Sequence, residues 1–126
     1  MNITTRQNGE ATILELTGDI TLYNTPEVRK TMLNLLKEKR VPQLLVDMRG
    51  VRYIDSSGVA SLVEGLKASR DLQSRFALYG LTKTTREVLD LTRLLRVFEV
   101  YENEEQAILG KPGAGNVALG AGNGTK

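Results

Sequence analysis

Asp55, Ser56, Ser57 and Gly58 stand where an apolar run gives way to an amphipathic one, and their types and spacing are suited to chemistry. Val59, Leu62, Val63 and Leu66 follow at i, i+3, i+4 and i+7, the period of a helix with one buried face. Ser and Asp favour the N-cap because their oxygens accept from the orphan N–H groups of a first helical turn. A hydroxyl is thereby displayed on a rigid element, in the positive field of a helix N-terminus. Four uses are open to it: nucleophile, anion-binding group, phosphorylation site, or cap alone, with Gly58 serving close packing.

Two of these narrow quickly. The chain has no His and no Cys, which removes Ser-His-Asp and Cys-His catalysis and the usual ligands of structural zinc. The block is no nucleophile elbow, since Gly-x-Ser-x-Gly is absent. Nor is it a Walker loop: the Gly-Lys-Ser/Thr ending is missing, and Asp55 would repel an anion. No cofactor and no catalytic residue is expected.

The elements that must position the block follow from the surrounding pattern. Residues 3–7 and 11–17 read as strands around Asn8-Gly9, a strong hairpin signal because both residues tolerate positive φ. Thr25 as cap, Pro26 at the first helical position and Glu27 open a helix with Val28, Met32, Leu35 and Leu36 as its apolar stripe, and Val41-Pro42 ends it. Leu44-Leu45-Val46 is continuously apolar, as in a parallel strand buried on both faces. After the Asp55–Gly58 helix come a strand at 76–79 and a helix with Thr84-Thr85-Arg86-Glu87 as capping box and Val88, Leu91 and Leu95 as its lining. A strand at 97–101 and a last helix, opened by Asn103 and Gln106, complete the pattern. The order β-β-α-β-α-β-α-β-α implies an α/β fold: a mixed, largely parallel sheet of about five strands with four helices packed on it. Residues 1–109 form the domain; 110–126, with half of the glycines, reads as a disordered tail.

The composition suits a single domain of 126 residues with 40% hydrophobic and 25% charged residues. A net charge of +2 with four Tyr and two Phe does not describe a nucleic-acid reader, so no nucleic-acid partner is expected. No apolar run reaches the ~18–20 residues of a membrane span, and the N-terminus lacks a signal-peptide pattern. A cytoplasmic protein without direct membrane insertion is the expectation.

The block Tyr53-Ile54-Asp55-Ser56-Ser57-Gly58-Val59 resembles the signature of STAS domains, the anti-sigma factor antagonists. Leu16-Thr17-Gly18-Asp19-Ile20, Leu44-Leu45-Val46-Asp47-Met48, Leu78-Tyr79-Gly80-Leu81, the stretch 88–101 and Glu104-Glu105-Gln106-Ala107 resemble the family's other blocks in order. The resemblance covers roughly residues 1–109. It implies a regulatory binding protein, not an enzyme. The hydroxyl after the Asp, here Ser56 with Ser57 as the alternative, would be phosphorylated by an anti-sigma factor that is also a serine protein kinase. The unphosphorylated form would bind that factor and release the sigma factor, and a serine phosphatase would reverse the mark. The alternative within the family is a non-phosphorylated binding subunit of an ABC-type lipid transport system or a stressosome-like assembly. No obligate oligomer is expected.

The turn 18–24 and the turn 55–57 both follow strands of one sheet at the same end, so they should be neighbours. Asp19, Asn24, Asp55, Ser56, Ser57 and Gly58 would then make the partner-binding surface. The bland roles, Asp19 as a solvated turn residue and Asn24 as a cap, stay open.

Overall fold

The computed structural model describes residues 1–110; the tail expected to be disordered lies, from 111 on, outside the described residues. Strands β1 (Asn2–Asn8) and β2 (Ala11–Thr17) form an antiparallel hairpin. Its turn depends on Gly9, whose φ of 61° is a conformation glycine enters without a Cβ penalty. Then follow α1 (Thr25–Leu33), a π-helical turn (Asn34–Glu38), β3 (Gln43–Gly50), α2 (Ser56–Asp71), β4 (Arg75–Tyr79), α3 (Lys83–Leu91), β5 (Glu99–Tyr101) and α4 (Glu104–Leu109). The five strands lie in sequence order, β2 to β5 all parallel. The expected α/β architecture is therefore the observed one.

Strand alternation divides the apolar residues between two layers. Leu44, Val46 and Met48 of β3 face the larger core, with Leu14, Leu16, Phe76 and Leu78 and the buried faces of α1, α2 and α3. Leu45 points the other way, into a smaller cluster with Ala11, Ile13, Ala77, Tyr79, Tyr101 and Ala107 of α4. The run 44–46 is fully buried because both faces of β3 are covered. At ~25 cal/mol per Å², each such Leu or Val contributes about 1.5–3 kcal/mol. The stripe Val28, Met32, Leu35 and Leu36 is buried as its spacing implies.

Three local expectations are corrected. Thr25 is not the cap of α1: it is the first helical residue, Asn24 holds the cap position, and no side chain caps the helix there. Helix α3 begins two residues earlier than the Thr84–Glu87 box suggests. Extended Thr82 is its cap, accepting from the Thr85 N–H at 3.3 Å, and it also donates to the Val51 carbonyl at 3.1 Å. This second bond ties Thr82 to the segment after β3, a tertiary advantage that Thr84 lacks. Finally, Leu91 is 84% exposed, and the buried face of α3 is Thr85 and Leu89 instead. The helix ends at Leu91, and Arg93 turns left-handed at φ 63°, so Leu95 is not on the helix and packs from the following loop.

The second sheet face carries a charged network. The Glu104 carboxylate accepts from the Arg6 guanidinium, from Asn8 Nδ2 at 2.8 Å and from the Tyr79 hydroxyl at 3.0 Å. It thus fastens α4 to β1 and β4. Asp47, on the same face, accepts from Arg49 Nε at 3.0 Å and Nη2 at 2.7 Å. Burial pushes the Asp47 carboxyl up, but the Arg49 bonds outweigh it and leave the group below its ordinary value.

For Glu104 the Arg6 hydrogen bond dominates, against opposing desolvation, and holds the carboxyl at about 2 instead of 4.5. The folded value lies below the unfolded one. The stabilisation is therefore complete above pH 4.5 and is lost as pH falls through about 2. Urea unfolding of wild type and Glu104→Gln should show a clear gap at neutral pH that closes toward pH 2. A gap independent of pH would mean that the Glu104 charge adds no stability.

Candidate functional site

The site is built where the two expected turns meet. Beyond β2 and β3 the chain segments continue side by side, and Ile20 and Ile54 form an isolated parallel bridge. The Ile20 N–H donates to the Tyr53 carbonyl at 2.9 Å, and the Asp55 N–H returns to the Ile20 carbonyl at 3.0 Å. Ile20 and Ile54 are both buried, anchoring this extension of the sheet to the core.

Asp55 joins the two turns with one carboxylate. It is the N-cap of α2, in extended backbone, and its Oδ1 accepts from the Gly58 N–H at 3.0 Å. Its Oδ2 accepts from the Leu22 N–H at 3.0 Å. One side chain therefore starts a sixteen-residue helix and straps down a turn that lies 33 positions earlier. Asn24 works from within that turn: its Oδ1 accepts from the Thr21 N–H at 2.8 Å, and its Nδ2 donates to the Asp19 carbonyl at 2.6 Å. The amide that would have capped α1 is used to close the turn before it. The Asp19 side chain stands exposed on that turn.

Gly58 is required by proximity, not by backbone angle. A Cβ there would lie 2.5 Å from Ile54 Cγ1, 2.8 Å from Ile20 Cγ2 and 2.9 Å from the Ile20 carbonyl oxygen. Only a residue without a side chain lets the first turn of α2 rest against both bridging isoleucines. Overpacking at such a point typically costs about 1–3 kcal/mol.

Ser56 is the first residue of α2 and is exposed; Ser57 is half-buried. No hydrogen bond occupies the Ser56 hydroxyl among the described residues. No acidic residue lies in the first turn of α2 itself. Asp19, Asn24, Asp55, Ser56, Ser57 and Gly58 thus come together at one end of the sheet.

The structure adds three residues that the sequence reading passed over as site residues. Tyr23 is 94% exposed, Leu22 66% and Tyr53 47%, all on the two segments that bracket Ser56. Large apolar side chains clustered in solvent mark interaction surfaces. They lie outside any periodic stripe, which was the one available signal, since a helix or strand pattern would have placed them in the core.

The model of the STAS domain matches residues 2–107 of this chain. The chain belongs to the STAS domain family. Among STAS relatives, the anti-sigma-B factor antagonist of Listeria monocytogenes is 30% identical over 87 residues, 69% of this chain and 75% of that protein. An anti-sigma-factor antagonist (STAS) domain protein from Planctomyces limnophilus shares the fold with a TM-score of 0.77 at 23% identity, over 85% of this chain and 95% of that one. The anti-sigma factor antagonist SpoIIAA in its unphosphorylated form gives a TM-score of 0.74 at 18% identity, over 85% and 93%. SpoIIAA in its phosphorylated form, from Bacillus, gives 0.68 at 18% identity, over 85% and 96%. The five-stranded sheet with four helices described above is thus the STAS fold. Among the described residues, no helix of this STAS domain is long and apolar enough to cross a membrane.

Proposed function

We propose that this chain is an anti-sigma factor antagonist switched by phosphorylation of Ser56. The observation that carries the reading is the placement of Ser56. It is an exposed hydroxyl on the first turn of a rigid helix, beside a strapped turn that presents Leu22 and Tyr23 to solvent. In the unphosphorylated state this apolar rim docks on the anti-sigma factor, which lets go of its sigma factor. The names of the relatives support that role.

The switch follows from charge. A phosphoryl group adds about −1.5 to −2 charge and three strong acceptors. The dipole and free N–H groups of α2 favour an anion at its N-terminus, and this offsets the repulsion from the neighbouring Asp55 carboxylate, so the domain carries the charge without unfolding. At a docked interface the same charge must be stripped of water next to apolar side chains. Phosphorylation therefore breaks binding while leaving the fold in place. The kinase is the anti-sigma factor itself, and a serine phosphatase resets the cycle. That SpoIIAA was solved with and without phosphate fits a fold that tolerates the modification.

The protein, incubated with ATP and the anti-sigma factor kinase of its own host, should carry phosphate on Ser56 when mapped by tandem mass spectrometry. Phosphate on neither Ser56 nor Ser57 would overturn the reading.

A further inference from the structure

A second concave surface lies toward the far end of α2 from Ser56, between its last turns and the wall made by α1 and the π-helical turn. Its volume is about 440 Å³, within the ~300–1,000 Å³ typical of ligand sites. Leu33 and Leu72 line it with apolar surface. Arg29 on one wall is paired with Glu64 on the other, so these two charges cancel. What remains is Lys37, Arg40 and Lys67 against Asp71 alone. All four are exposed, and none of the three cations is held in an ion pair among the described residues.

The backbone that carries two of these cations is unusual. Lys37 lies in the π-helical turn, where the Lys39 N–H reaches back to the Asn34 carbonyl at 3.0 Å. Such turns occur frequently at functional sites. Arg40 follows at φ 54°, the left-handed conformation in which helices usually place Gly or Asn. Its Nε donates to the Lys37 carbonyl at 3.0 Å, which holds the guanidinium near the cleft mouth.

We infer that this cleft docks an acidic amphipathic segment of a partner protein, with an apolar side chain seated on Leu33 and Leu72 and carboxylates meeting Lys37, Arg40 and Lys67. Cations on both walls of an apolar floor suit carboxylates distributed on either side of an apolar anchor along a peptide. The site stands apart from Ser56, so it would give the protein a second contact that persists whatever the state of the switch.

A fluorescein-labelled helical peptide with glutamates flanking leucines tests this by anisotropy, with amide shifts of the labelled protein locating the site. The expected result is saturable binding that weakens as salt rises, with shifts confined to residues 33–40 and 64–72. Ser56→Asp should leave it unchanged. The double variant Lys37→Glu/Lys67→Glu, at exposed positions, should weaken it by about tenfold or more. Arg40→Gly should weaken binding while raising the melting temperature, because glycine relieves the left-handed backbone; a purely structural Arg40 would not weaken it. Three results would overturn the proposal. The first is no saturable binding, or binding kept by the double variant. The second is equal binding of a peptide with serine in place of leucine, which would mean charge alone. The third is full displacement by octanoate at matched concentration, which would mean a small-molecule site.

Discussion

Ser56→Asp should keep a native melting temperature and lose affinity for the anti-sigma factor by at least about tenfold, or ~1.4 kcal/mol. The dipole of α2 favours a carboxylate at its start and offsets the repulsion from the neighbouring Asp55 carboxylate, so the fold is kept. Binding has every reason to suffer, because Ser56 is exposed next to Asp55, whose carboxylate holds the turn of exposed Leu22 and Tyr23, and three residues after exposed Tyr53. A charge beside these exposed side chains is desolvated on docking, and its cost falls on the dissociation rate. A true phosphate, with about twice the charge, should exceed the aspartate effect. Ser56→Ala separates the two roles of the residue. It should bind as the wild type does and refuse phosphate. Ser56 is the first helical residue and not the cap, so its loss should scarcely lower stability. Titration calorimetry of the three forms against the anti-sigma factor decides the matter. Equal affinity for wild type and Ser56→Asp would count against a switch at this position.

A large stability effect at the site should come from Asp55→Ala. One side chain accepts from two backbone donors on different elements, the N–H groups of Gly58 and Leu22. Loss of an N-cap costs about 0.5–2 kcal/mol, and a second hydrogen bond adds about 0.5–1.5 kcal/mol. A combined loss of about 2 kcal/mol would lower the melting temperature of a domain this size by roughly 10 °C. The turn should loosen with it: the Leu22 amide should exchange with deuterium much faster, while amides in β3 keep their relative protection. Asp55→Asn makes the argument sharper. Its amide offers one acceptor where the carboxylate offers two, so one of the two N–H groups faces a donor. Its stability should fall between wild type and Asp55→Ala. Full rescue by asparagine would show that the bond to Leu22 carries no weight and that Asp55 is a cap only.

Much of this protein is legible in one dimension. The hairpin at Asn8-Gly9, the buried strand at Leu44–Val46 and the start of α2 at Asp55-Ser56 are local matters. Each depends on the backbone preference of a few residues or on the period of apolar side chains, and both are written in the order of residues. The α/β alternation follows, because parallel strands need helical crossovers. The errors came where a competing contact from elsewhere outweighed the local signal. Thr82 displaced Thr84 as the cap of α3 because it also reaches the Val51 carbonyl. Asn24 left α1 uncapped because its amide closes a turn beside Asp55. Leu91 fell outside the core because Thr85 and Leu89 set the buried face of α3, and Leu91, two residues on from Leu89, lies round the helix away from it.

The site itself belongs to the tertiary structure. Sequence marked Asp55–Gly58 as a junction with a displayed hydroxyl, but not that the Asp55 carboxylate would reach Leu22, nor that Gly58 must be bare to admit Ile20 and Ile54. It offered no sign that Leu22 and Tyr23 stay in water, since exposure in a loop follows from what packs nearby and not from residue type. Glu104 likewise meets Arg6 across 98 positions only because α4 crosses to the second face of the sheet. Propensity and periodicity decay within a few residues along a chain. Which distant groups share a carboxylate, and which apolar side chains find no cover, is decided by packing.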